Sequence, residues 1–83
     1  MKNLFSLHEA IVVALLNLDK HNFTATFDQI AAYISKRNLY PIRKGNISLS
    51  EQVMLRSTKS KGKYLYLFES VDSNTIKLKS IYQ

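Results

Sequence analysis

His8 and His21 are the two histidines of an 83-residue chain. They fall in separate elements, and neither has a second histidine or an acidic neighbour at metal-ligand spacing. The chain has no cysteine, so thiolate zinc sites, disulfides and thiol nucleophiles are all unavailable. Two glycines, Gly45 and Gly62, are too few for a loop that cradles phosphates by close backbone approach. The serines sit where caps and turns use their hydroxyls. The six acidic residues are scattered one or two to an element, with no pair suited to acid and base roles. The expectation is therefore a protein that is not an enzyme, with no metal and no cofactor, and with no small-molecule substrate in evidence.

The remaining chemistry is positive charge, and it is unevenly placed. Residues 1–35 carry Lys2 and Lys20 against Glu9, Asp19 and Asp28, a net charge of −1. Residues 36–83 carry ten cations (Lys36, Arg37, Arg43, Lys44, Arg56, Lys59, Lys61, Lys63, Lys77 and Lys79) against Glu51, Glu69 and Asp72, a net charge of +7. The whole chain is at +6 with a pI near 9.7, the footprint expected of a protein that meets a polyanion.

The elements that carry these groups can be read from caps and periodicity. Ser6-Leu7-His8-Glu9 has the form of a capping box. Leu7, Ile11, Leu15 and Leu18 follow at helical spacing, and Ala10, Val12, Val13, Ala14 and Leu16 widen the stripe until little of this first helix should face water. A polar turn at Asp19-Lys20-His21-Asn22 and a short extended piece at Phe23-Thr24-Ala25 precede a second box, Thr26-Phe27-Asp28-Gln29. Phe27, Ile30, Ala31 and Ile34 give helix two a narrow apolar face, and Asn38 with Tyr40-Pro41 should end it near residues 36–38. Ser48-Leu49-Ser50-Glu51 opens helix three, expected to run to about Lys59. On its wheel Gln52, Arg56 and Lys59 form an outward polar row, Met54 and Leu55 lie on the other side, and Leu49 and Val53 lie nearby. From Lys63 the period becomes two. Tyr64 to Phe68 and Thr75 to Lys79 read as two strands joined through Ser70-Val71-Asp72-Ser73-Asn74, with Ile76 and Leu78 packed and Lys77 and Lys79 wet.

Three helices followed by a β-hairpin in one α+β domain spanning 1–83 is the winged form of the helix-turn-helix. The run from Leu7-His8-Glu9-Ala10-Ile11, through Phe27-Asp28-Gln29-Ile30-Ala31-Ala32-Tyr33-Ile34, to Lys36-Arg37-Asn38-Leu39-Tyr40 resembles the HARE-HTH domain. Val53-Met54-Leu55-Arg56, Lys61-Gly62-Lys63 and Ile76-Lys77-Leu78 continue the resemblance over nearly the whole chain. It implies a winged helix of the kind found in chromatin-associated and bacterial proteins, related to the start of the RNA polymerase delta subunit. The chain departs from that pattern at Asn46-Ile47-Ser48, where a threonine-proline pair is frequent, and at Asp72-Ser73-Asn74, where glycines are usual.

Roles follow from the architecture and the charge together. Gln52 and Arg56 would face base edges or phosphates from helix three, because glutamine matches adenine and arginine matches guanine in the major groove. Arg43, Lys44, Lys59, Lys61 and Lys63 would hold phosphates, and Lys77 and Lys79 would reach the backbone or minor groove from the wing. The expected partner is DNA, in transcription or its regulation. The alternative is a protein-interaction module of the same fold docking on a larger acidic partner of the transcription or chromatin machinery; exposure of Leu49, Val53 or a Tyr64 and Tyr66 face would favour it. Tyr64, Tyr66 and Phe68 could instead cover the core edge, and Tyr40 would anchor a corner.

Composition bounds the rest. An apolar share of 46% with 22% charged residues describes a folding globular chain, not a disordered tail. The apolar stretch from Leu4 to Leu18 contains His8 and Glu9 and is too short to span a membrane. Lys2 before it and Asn17-Leu18-Asp19-Lys20 after it do not make a secretory signal, so the expected location is the cytoplasm.

Overall fold

In the computed structural model, residues 5–40, 47–58 and 63–79 are described. The order of elements is α1 (Leu7–Leu18), β1 (Thr24–Thr26), α2 (Phe27–Lys36), α3 (Leu49–Arg56), β2 (Phe68–Ser70) and β3 (Thr75–Leu78). Three helices are thus combined with a three-stranded antiparallel sheet.

Each helix starts where a side chain can take up an orphan amide. At α1 the Ser6 hydroxyl accepts from Glu9 N while the Glu9 carboxylate accepts from Ser6 N at 2.8 Å. At α2 Thr26 and Gln29 make the same reciprocal pair, at 3.1 and 2.9 Å. At α3 Ser48 accepts from Glu51 N at 3.1 Å, and only this half of the box forms. Helix α2 stops where Asn38 turns left-handed at φ 53°, a conformation its short polar side chain tolerates, and Leu39 N donates to Ile34 O.

Strand β3 lies between β1 and β2, with Ala25 opposite Ile76 on one side and Phe68 opposite Leu78 on the other. Entry into β1 forces Phe23 to φ 52°, costing on the order of 1–3 kcal/mol for a bulky residue. Hydrogen bonds hold it there, from Phe23 N to Asp19 O and from Leu78 N to Phe23 O. The hairpin turn is tied to the helices as well, since Phe27 N donates to Asn74 O at 3.0 Å. Phe68, Ile76 and Leu78 join Ile11 and Leu15 of α1, Ile30 and Ile34 of α2, and Leu49 and Val53 of α3 in one buried cluster.

Four details differ from the sequence reading. Leu16 and Leu18 are exposed, so the last turn of α1 is open on one side. Helix α3 ends at Arg56, short of Lys59: the backbone of Ser57 leaves helical geometry at φ −115° and ψ −107°, and its buried hydroxyl donates to Val53 O at 2.8 Å. Leu49 and Val53 are its core face, four residues apart, while Leu55 is exposed. Finally, residues 63–67 form turns, not strand: Leu67 N and Phe68 N both donate to Tyr64 O. Tyr64 and Phe68 are therefore buried at helical spacing, and Tyr66 points outward at 60% exposure.

That last difference yields a measurable contrast. Phe68→Ala should cost about 3–5 kcal/mol in chemical denaturation, whereas Tyr66→Ala should fall within about 0.5 kcal/mol of wild type. Equal losses would restore the alternating strand.

Candidate nucleic-acid interface

Of the nine cationic and polar residues singled out by sequence, Arg43, Lys44, Lys59 and Lys61 lie outside the described residues. The other five divide into two groups. Helix α3 mounts Gln52 and Arg56 four residues apart on the flank beside its core face of Leu49 and Val53, and Arg56 reaches solvent at the last residue of the helix. Gln52 is half-buried and its amide donates to Ile47 O at 3.2 Å, so reading a base would require releasing that bond. Arg56 is exposed and lines two hollows that share Leu7 and Tyr40 with it. One hollow is completed by Ile47, Gln52 and Leu55. The other is completed by Ser6, His8 and Tyr64, and the Lys63 ammonium stands 5.5 Å from the centre of the Tyr64 ring.

His8, Tyr40 and Tyr64 thus join the surface around Arg56, a gathering the sequence reading did not assemble. Their separation along the chain hides it, and only the packing of α1 and α3 against one another brings them together. Arg37, after α2, lies over the Tyr33 ring at 5.2 Å.

The hairpin lysines are placed differently. Lys77 lies on the sheet face opposite the buried Ile76 and Leu78, and its Nζ is 4.0 Å from Glu69 Oε2 on the neighbouring strand. Both partners are solvated, so this pair adds about 0–1 kcal/mol. Lys77 borders a cleft with Asp19, His21, Thr24 and Val71, which shares no residue with the hollows around Arg56. Lys79 follows on the same alternation, its backbone N–H donating to Leu67 O. The turn between the strands carries Asp72 and no cation.

Helix α3 itself has two flanks of opposite character. Beside Gln52 and Arg56 lie the basic and aromatic groups just described. On the other flank Asp28, Ser50, Glu51 and Met54 border a notch with Asn74, and Ser50 Oγ donates to Asp28 Oδ1 at 2.7 Å. That bond fixes the start of α3 to the first turn of α2. The outermost positions between the flanks are Glu51 and Leu55, the latter 49% exposed.

Three carboxyls are held below their ordinary range by hydrogen bonds to the charged form. Glu9 accepts from Ser6 N and then the Ser6 hydroxyl; Asp19 accepts from Asn22 N and His21 N; Asp72 accepts from Asn74 N and is bonded by the Thr75 side chain. No group of three metal-ligating side chains occurs among the described residues, and no helix among them is long and apolar enough to cross a membrane.

The shifts set a pH dependence. A carboxyl whose folded pKa is depressed contributes stability that is complete above its unfolded value and is lost as pH falls through the folded one. Thermal stability should therefore be level from neutrality down to the ordinary carboxylate range and decline below it, and Asp72→Asn should make the decline shallower. A midpoint that fell between pH 8 and 6 would contradict this assignment. Compared with models of protein families, with curated proteins and with solved structures, the chain matches none.

Proposed function

We propose that this chain is a winged-helix, nucleic-acid-binding protein that holds double-stranded DNA through α3 and the segments flanking it, in transcription or its regulation. Two features support the fold. The helices are followed by a hairpin, and the far strand of that hairpin pairs with the short strand between α1 and α2, the arrangement by which a wing is braced against a helix-turn-helix. The resemblance to the HARE-HTH domain points the same way.

The observation that carries the function is the position of charge around α3. The helix turns Arg56 to solvent and keeps Gln52 beside it, while Arg43-Lys44 precede it and Lys59, Lys61 and Lys63 follow it in the chain. Lysine and arginine bracketing a helix at both ends can neutralise phosphates on both sides of a groove. On this reading the protein is a binder and not a catalyst, and it works in the cytoplasm. Lys77, paired with Glu69 and bordering a separate cleft, contributes less than the α3 group.

A second reading rests on a specific observation: Ile47 and Leu55 are exposed and line the same hollow as Arg56. An apolar pair beside an arginine suits an acidic protein surface, where the side chains would be buried on contact.

Fluorescence anisotropy of a labelled random-sequence duplex, titrated at several salt concentrations, separates the two. DNA binding predicts micromolar affinity with a steep salt slope, and an Arg56→Ala, Lys59→Ala, Lys61→Ala variant should flatten that slope by about 0.9 for each phosphate contact removed. Absence of binding at low salt would overturn the DNA reading. An unchanged slope in the variant would remove those three residues from the interface.

A further inference from the structure

The segment before β2 holds two hydrophobic side chains out in solvent on a backbone anchored at both ends. Tyr64 and Phe68 are buried four residues apart, and Leu67 N and Phe68 N both donate to Tyr64 O, which closes the chain between them into a turn. Leu67 is also tied to the sheet, its carbonyl accepting from Lys79 N at 2.8 Å. Between these anchors Leu65 and Tyr66 are turned outward, at 42% and 60% exposure. Tyr66 is the most exposed large hydrophobic residue among those described, and its ring and hydroxyl have no partner among them.

The surroundings are cationic. Lys63 begins the turn with its ammonium 5.5 Å from the centre of the Tyr64 ring, and Lys59 and Lys61 precede it in the chain. Tyr64 borders the hollow that Arg56 lines. Two residues of chain span at most about 7 Å, so Tyr66 is mounted beside the same basic surface. A phenol ring there presents a flat face to a nucleobase, and such stacking is indifferent to sequence because every base has a π-face. Inside a duplex each base is already covered on both faces by its neighbours. A ring held on a surface turn can therefore take only a base that has left the stack or lies at an end. A protein surface fits less well. Tyr64 is buried, so the two tyrosines form no joint face, and one tyrosine supplies only about 150–250 Å² of the about 800 Å² that each side of a stable protein interface buries.

We propose that Tyr66 is a stacking platform for an unpaired base, flanked by Leu65 and with Lys63 for the adjoining phosphate, so that the protein favours duplex DNA interrupted by a bulge or a frayed end over duplex that is fully paired. The inference rests on the function proposed above and names the feature of the nucleic acid that the same interface selects.

Binding of the full chain to a labelled duplex is compared, by anisotropy, with binding to the same duplex carrying an extra unpaired adenine. The bulged duplex should bind more tightly by about 5- to 150-fold, the worth of one stacked base. Tyr66→Ala should lose this preference while keeping its affinity for the paired duplex, and Tyr66→Phe, which retains the ring, should keep it. The alanine variant should fold as the wild type does, because Tyr66 lies outside the core, and its thermal transition checks this. In the unmodified protein, shifts of the Tyr66 ring protons with the bulged duplex but not with the paired one read the same contact without a substitution. Equal affinities for the two duplexes, or a preference that survives Tyr66→Ala, would overturn the platform while leaving the DNA reading in place. If neither duplex binds, the DNA reading fails, and a single-stranded oligonucleotide decides the platform: shifts centred on Tyr66 support it, and their absence overturns it.

Discussion

The structure depends on β3 being held between two partners distant from one another in the chain. Pairing Thr24–Thr26 with Thr75–Leu78 closes a loop of about fifty residues, an ordering cost that no disulfide reduces because the chain has no cysteine. Packing must offset it. Ile76 and Leu78 face the helices from β3, Phe68 joins them from β2 and Ala25 from β1, so the strand that closes the loop is also the one that completes the core. The strained backbone at Phe23 lies at the entrance to this pairing, and its carbonyl accepts from Leu78 N.

With the sheet pinned to α1 and α2, the third helix is positioned by its own contacts. Leu49 and Val53 seal it to the core, and the Ser50 to Asp28 hydrogen bond sets its first turn against α2. These attachments leave one flank acidic and the other basic. Arg56 emerges among residues from the start of α1, the end of α2 and the turn before β2, which is why a helix of eight residues can present a surface assembled from the whole chain. Lys77 belongs elsewhere, held by register opposite Glu69 and Thr24.

Much of this was legible in local sequence. Ser6, Thr26 and Ser48 each announced a helix start, and Phe27, Ile30, Ala31 and Ile34 all proved buried, because capping and helical period are decided within a few residues. The strand pairing of β1 was not legible: Phe23-Thr24-Ala25 suggested an extended piece, but its partner lies at the other end of the chain. The alternation of Tyr64-Leu65-Tyr66-Leu67-Phe68 misled for a different reason. Two aromatics four apart satisfy a helical turn as well as a strand, and the bonds from Leu67 and Phe68 to Tyr64 O decide for the turn. Likewise the wheel of α3 was ambiguous until Leu49 and Val53 took the core positions. The cluster of His8, Tyr40, Arg56 and Tyr64 had no local signal at all, since it exists only once the helices pack.

The central claim is that the working surface lies on the basic flank of α3 and the adjoining start of α1. Amide and side-chain chemical shifts of isotopically labelled protein, followed as a duplex is added at low salt, test it most directly. Perturbations should centre on Gln52, Arg56, Lys63 and His8, with Glu69 and Lys77 little changed. Perturbations confined to the sheet face around Lys77, or to the acidic notch at Asp28 and Glu51, would contradict it.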